Sequence, residues 1–180
     1  LRETCPELRL ILVPRHKERF EEVARLVESC GVSLLRRSEV VNEEVVQTQS
    51  ATPVILLDTL GELSACWGLA DFAFVGGSMG NRGGQNMIEP CGYGAAVCFG
   101  PNTRNFRDVV QSLLDRKAAK VVEDKSAITS LLRAWLTDRQ AATSQGIAAR
   151  DFVLSQAGAS QQTVDLLLGT EELSAAAIAA

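Results

Sequence analysis

The chain has 180 residues, of which 46% are hydrophobic and 22% charged, and a formal net charge of −4. This length and balance suit one globular domain with a core of its own, and no apolar run approaches the roughly 18 residues of a membrane span. The Lys and Arg residues are spread along the chain, which excludes the electrostatic footprint of a nucleic-acid binder.

Six apolar runs, at residues 8–13, 33–35, 54–57, 72–75, 95–99 and 118–122, alternate with stretches of helical periodicity. This rhythm predicts βαβ units. After the first strand, Phe20, Val23, Val27 and Cys30 recur at helical spacing, and Gly31 is placed to end that helix. Thr59 with Glu62 has the form of a capping box ahead of Leu60, Leu63 and Trp67. Asp58, at a strand end, reads as a helix cap in preference to an acid catalyst. A further helix carries Phe106, Val109, Val110, Leu113 and Leu114, and the next carries Ile128, Leu131, Leu132 and Trp135, both as core stripes. The run at 54–57 is apolar at successive positions, as in strands covered on both faces of a parallel sheet. Together these patterns predict an open, doubly wound, Rossmann-like α/β sheet.

Beyond Thr137 the pattern is helical to about Gln156, followed by a short apolar patch at 164–168. The expectation is one ligand-binding domain over 1–168 and a disordered tail over 169–180. The chain starts only a few residues before its first strand and reads as a fragment of a longer protein. Cys5, Cys30, Cys66, Cys91 and Cys98 are odd in number and contain no Cys-x-x-Cys. That suits buried thiols in a reducing compartment better than a disulfide frame or a zinc site, and with no signal peptide it points to the cytoplasm.

Residues 72–101 carry the functional signal. An apolar strand opens into Gly76-Gly77-Ser78, then Gly80, Gly83 and Gly84, then Gln85-Asn86 and Glu89-Pro90. Glycines let a backbone approach a ligand closely, and a helix beginning near Asn86 would aim unpaired N–H groups at an anion. The same residues also fit a tight connection, with Asn86 and Glu89 as a capping box. The spacing is neither Gly-x-Gly-x-x-Gly nor a P-loop, so neither nicotinamide chemistry nor ATP hydrolysis follows from it.

Ligands of open α/β sheets bind outside the carboxyl ends of the strands, where Pro14-Arg15-His16, Gly76-Gly77-Ser78 and Phe99-Gly100-Pro101 fall. Arg15 can offer a planar fork of donors to a phosphate; His16, the only histidine, can assist or cap the next helix. Ser78 and Asn86 are phosphate donors or turn residues, Glu89 suits the hydroxyls of a ribose or a cap, and Arg82 reads as a solvated loop charge. No nucleophile motif and no metal-ligand spacing occurs, so the pattern describes a binding site more than a catalytic centre.

One ordered series gathers these residues: Val13-Pro14-Arg15-His16, Arg36-Arg37-Ser38, Asp58-Thr59-Leu60-Gly61-Glu62, Phe74-Val75-Gly76-Gly77-Ser78, Gly83-Gly84, Asn86, Glu89-Pro90, Phe99-Gly100-Pro101 and Asn105-Phe106. The series resembles the carboxyl-terminal half of the 3-deoxy-D-manno-octulosonic acid (Kdo) transferases. The resemblance implies a GT-B glycosyltransferase that moves Kdo from CMP-Kdo to a lipid A precursor on the cytoplasmic side of the Gram-negative inner membrane, in lipopolysaccharide biosynthesis. It implies no metal and no other cofactor. It also implies that Arg15, His16, Gly76, Gly77, Ser78, Gly84, Gln85, Asn86 and Glu89 line the CMP-Kdo site, with Glu89 at the ribose.

Gln85 stands where the family commonly has His, which removes a titratable group from that position. By the same resemblance, the acceptor domain, its general base and the membrane-associating segment belong to an amino-terminal domain absent from this sequence. No catalytic residue is therefore expected here, and the fragment alone is expected to be inactive. The competing readings are another GT-B enzyme, a UDP-sugar transferase or a UDP-sugar 2-epimerase, and a noncatalytic nucleotide-binding domain.

Overall fold

Six short strands, all paired in parallel, organise the computed structural model, which describes residues 1, 4–40 and 52–156. The apolar patch at 164–168 and the tail at 169–180 lie outside the described residues. The strands are hydrogen-bonded as two three-stranded sheets in two compact units: Leu1–Leu69 with Thr129–Thr137, and Ala70–Ile128 with the chain from Asp138 onward.

In the first unit, β1 (Leu10–Leu12), β2 (Leu34–Arg36) and β3 (Val54–Leu56) lie in the order β1-β3-β2, with Leu12 and Arg36 both in register with Leu56. The central strand buries Val54 and Leu56, as its unbroken apolar run predicts. Helix α1 (Phe20–Ser29) turns Ala24 and Val27 inward. It ends where Gly31 takes φ +68°, the left-handed conformation a helix stop favours. Cys30, expected among buried thiols, is exposed at the C-cap of this helix, and Cys5 and Cys66 are only half-buried. Helix α2 (Leu63–Trp67) is a single short turn.

In the second unit, β4 (Phe72–Val75), β5 (Ala96–Phe99) and β6 (Ala119–Val121) run in the order β4-β5-β6. All four residues of β5 are buried. Between them come α3 (Ile88–Gly92) and α4 (Arg107–Asp115), the latter burying Val110 and Leu113. Helix α5 (Lys125–Thr137) starts here, but its residues from Thr129 on, including the buried Trp135, belong to the first unit.

The last described helix, α6 (Arg139–Ser155), begins where the Asp138 carboxylate accepts the Ala141 N–H at 2.9 Å. It buries Gln145, Gly146, Ala149 and Phe152. Gly146 meets the backbone of Gly94 and Ala95 so closely that a β-carbon would overlap the Gly94 carbonyl. The Gln145 amide reaches the Val97 carbonyl of β5 at 3.1 Å, which satisfies a buried polar side chain.

Candidate functional site

The glycine loop closes on itself. At the end of β4, the Gly76 carbonyl accepts the Gln85 N–H at 3.1 Å and the Gly77 carbonyl accepts the Gly84 N–H at 3.0 Å. Both Gly77 (φ +72°) and Gly84 (φ +83°) sit where side chains are strained. A β-carbon on Gly77 would also press within 3.3 Å of the Gln85 side chain. Gly76, Gly77, Gly84 and Gln85 are thus brought together as the base of one loop, within the second unit.

Ser78 does something other than its sequence suggests. Its side chain is fully buried; the hydroxyl donates to the Val75 carbonyl at 2.6 Å and accepts the Gly100 N–H at 2.8 Å. With the Asn102 N–H on the Ser78 carbonyl at 2.9 Å, the residue ties the loop after β4 to the loop after β5. The expected phosphate-donating hydroxyl is in this structure an internal staple. Gly100 is the reciprocal requirement, because a β-carbon there would come within 2.5 Å of the Ser78 carbonyl oxygen.

Asn86 and Glu89 meet, though not as a capping box. The Asn86 side-chain oxygen Oδ1 accepts the Ile88 N–H at 3.0 Å, and the side-chain amide nitrogen donates to the Glu89 carboxylate at 2.9 Å. The helix begins at Ile88, two residues later than expected. Ile88 N–H is therefore occupied and Pro90 has none, so this helix end offers an anion fewer free donors than a generic N-terminus. What the arrangement does offer is a half-buried carboxylate held in orientation by a neighbouring amide beside the glycine loop.

The loop after β5 supplies a second layer that sequence reasoning missed. The Asn105 side chain donates to the Arg82 carbonyl at 3.0 Å and the Gly84 carbonyl at 3.4 Å, and its N–H to the Gly83 carbonyl at 3.1 Å. The Arg104 guanidinium donates to the Asn81 carbonyl at 2.7 Å. Gly83 (φ +84°) makes room for both, since a β-carbon would lie 2.7 Å from the Asn105 amide oxygen and 2.8 Å from the Arg104 Cγ. The only signal in the sequence was Asn105 in the motif series, with nothing to show that it grips the glycine loop. Between the two loops is a cavity of about 320 Å³.

Arg15 and His16 belong to the first unit, where both are exposed after β1. His16 occupies the N-cap position of a 3-10 turn at Lys17–Arg19, but its side chain caps nothing. Asp58, expected as a helix cap, instead accepts the Ser38 N–H at 2.8 Å and the Ser38 hydroxyl at 2.7 Å, with Arg36 at 3.8 Å. Burial pushes its pKa up, but the Ser38 bonds and Arg36 outweigh it and hold the carboxyl below its ordinary value. Thr59 does reach Glu62, hydroxyl to carboxylate, yet the helix starts only at Leu63, so the pair is not a capping box either. Cys91 and Cys98 are buried, which pushes each thiol up to about 12 and leaves it inert. Among the described residues, no three His, Cys, Asp or Glu groups are placed to hold a metal ion, and no helix is long and apolar enough to cross a membrane.

No family model matches the chain. Curated proteins do, among them the 3-deoxy-D-manno-octulosonic acid transferase of Bordetella pertussis, 34% identical over 92% of this chain and 38% of that protein, and the transferase of the same name from Haemophilus influenzae, 36% identical over 90% of this chain and 37% of that protein. The chain thus spans less than two-fifths of the length of these relatives. Among solved structures, it is similar to the C-terminal CMP-Kdo binding domain of WaaA from Acinetobacter baumannii, with a TM-score of 0.75 and 31% identity over 86% of this chain and 78% of that one.

Proposed function

The chain belongs to the Kdo transferase family, whose C-terminal domain it matches in sequence and fold, and from that membership we propose that it holds the CMP-Kdo donor of a sugar transfer. The observation that carries the reading is the closed glycine loop at residues 76–85 leading directly to the Asn86–Glu89 pair. The loop's backbone approaches the phosphate, and Glu89, oriented by Asn86, accepts hydrogen bonds from the ribose hydroxyls. Ser78 contributes by fixing the loop instead of touching the donor. As the glycosidic bond breaks, CMP gains negative charge, and fixed N–H dipoles in the loop stabilise it without reorganisation.

No metal takes part in this reading; the phosphate charge is met by protein donors. The acceptor, a lipid A precursor, and the base that deprotonates it are supplied outside these residues, at the cytoplasmic face of the inner membrane. Neither a UDP-sugar enzyme nor a noncatalytic nucleotide domain is favoured by the relatives named above.

Calorimetric titration of CMP and UDP into the chain, with and without EDTA, tests the proposal. CMP should bind regardless of EDTA, and Glu89→Ala should weaken it roughly tenfold or more, as for a lost charge-assisted hydrogen bond. UDP binding as tightly as CMP, or CMP affinity that collapses on chelation and returns with Mg²⁺, would overturn it.

A further inference from the structure

We propose that the cavity between the glycine loop and the loop after β5 is a binding site for a phosphomonoester, held by Arg104 and Arg107. The cavity, about 320 Å³, is lined by both arginines together with Asn81, Asn102 and Thr103, and no Asp or Glu contributes to its wall. Neither guanidinium makes an ion pair among the described residues. Two arginines without an ion pair therefore border one space, matching a phosphomonoester that carries roughly −1.5 to −2 at neutral pH.

Two further features make this more than a pair of solvated arginines. The Arg104 guanidinium is fixed by the Asn81 carbonyl at 2.7 Å, and its stem lies where only the missing side chain of Gly83 leaves room. Its remaining N–H groups are thus presented from a set position, as bidentate phosphate recognition requires. Arg107 is the first residue of α4, and no side chain caps that helix. The first turn also carries Asp108, which suits the helix dipole; the Arg107 cation opposes the dipole, and an anion beside it would be favoured by dipole and guanidinium alike. The volume lies at the small end of ligand clefts, roughly 300–1,000 Å³, and exceeds what a bare phosphate needs. Asn81 lies in the glycine loop proposed to hold the donor, so the two sites adjoin, but neither arginine is assigned to the donor and the inference rests on the arginines.

The test is site-resolved. Amide NMR spectra of the chain are recorded during titration with glucose 1-phosphate and, separately, inorganic phosphate. Glucose 1-phosphate should cause saturable shifts in the amides of residues 102–107. The Arg104→Gln/Arg107→Gln chain should lose roughly tenfold or more in that affinity, while Arg107→Lys, which keeps the charge but not the fork, retains part of it. CMP affinity should stay within about twofold in the Arg107→Lys chain, where Arg104 still holds the glycine loop through Asn81. Shifts confined to residues 76–86, an unchanged affinity in the double variant, or saturation by inorganic phosphate alone would overturn the proposal. A chain that binds glucose 1-phosphate here but not CMP would uphold this site and refute the donor reading.

Discussion

The Ser78 hydroxyl and the Gly100 N–H are joined at 2.8 Å across two strand ends that are 22 positions apart in sequence, and both partners are buried. The bond ties the loop proposed to hold the donor to the loop that borders the arginine cavity. Removing either end should therefore act on stability and on binding together.

Ser78→Ala leaves the Gly100 N–H buried without an acceptor and should cost about 1–3 kcal/mol in denaturant unfolding. Because the glycine loop loses its tether, CMP affinity should fall as well. A variant as stable as the parent would show that the staple is replaced, for example by water.

Gly146→Ala places a methyl group in the Gly94 carbonyl and forces α6 away from the turn before β5. Overpacking of this kind costs about 1–3 kcal/mol, and the backbone on the other side cannot swing aside as a side chain would. Thermal unfolding followed by circular dichroism should show a clear drop in midpoint. Ile147→Ala, at an exposed neighbouring position, should leave it nearly unchanged.

Asp58 should make the first unit acid-sensitive. Its carboxyl is held below the ordinary value, so its stabilising contribution is fully present above the unfolded-chain pKa of about 3.9 and is lost as pH falls through the lower folded value. Asp58→Asn should be less stable than the parent at neutral pH, and the gap between their urea midpoints should narrow once the pH is taken well below about 3.9. A gap that persists unchanged there would mean that the charge is not its source.

Asn86→Ala removes the amide that orients Glu89 and the acceptor of the Ile88 N–H. Both are exposed, so the stability cost should be small, below about 1 kcal/mol, while CMP binding should weaken several-fold. Equal affinity in parent and variant, measured calorimetrically, would separate Asn86 from the donor site.

The strands and most helices were legible because they are local. Unbroken apolar runs such as Val54 to Leu56 and Ala96 to Phe99 mark strands covered on both faces, and Gly31 marks a helix end through its own backbone freedom. The glycine loop was legible for the same reason, and the ordered motif series identified the family. What sequence could not assign was the partner of each polar group. Ser78 looked like a phosphate donor until Gly100 was seen beside it. Asp58 looked like a helix cap until Ser38 arrived from another strand end.

Arg104 and Arg107 carried no signal at all, because their meaning depends on a cavity formed by a loop more than twenty positions upstream. Hydrogen-bond partners are chosen by proximity in space among many competent donors and acceptors, and only the fold decides which of them meet. Composition, periodicity and glycine placement by themselves determined the layers and the place of the loop. The tertiary structure alone decided which hydroxyls, carboxylates and guanidiniums are occupied inside the protein and which remain for a ligand.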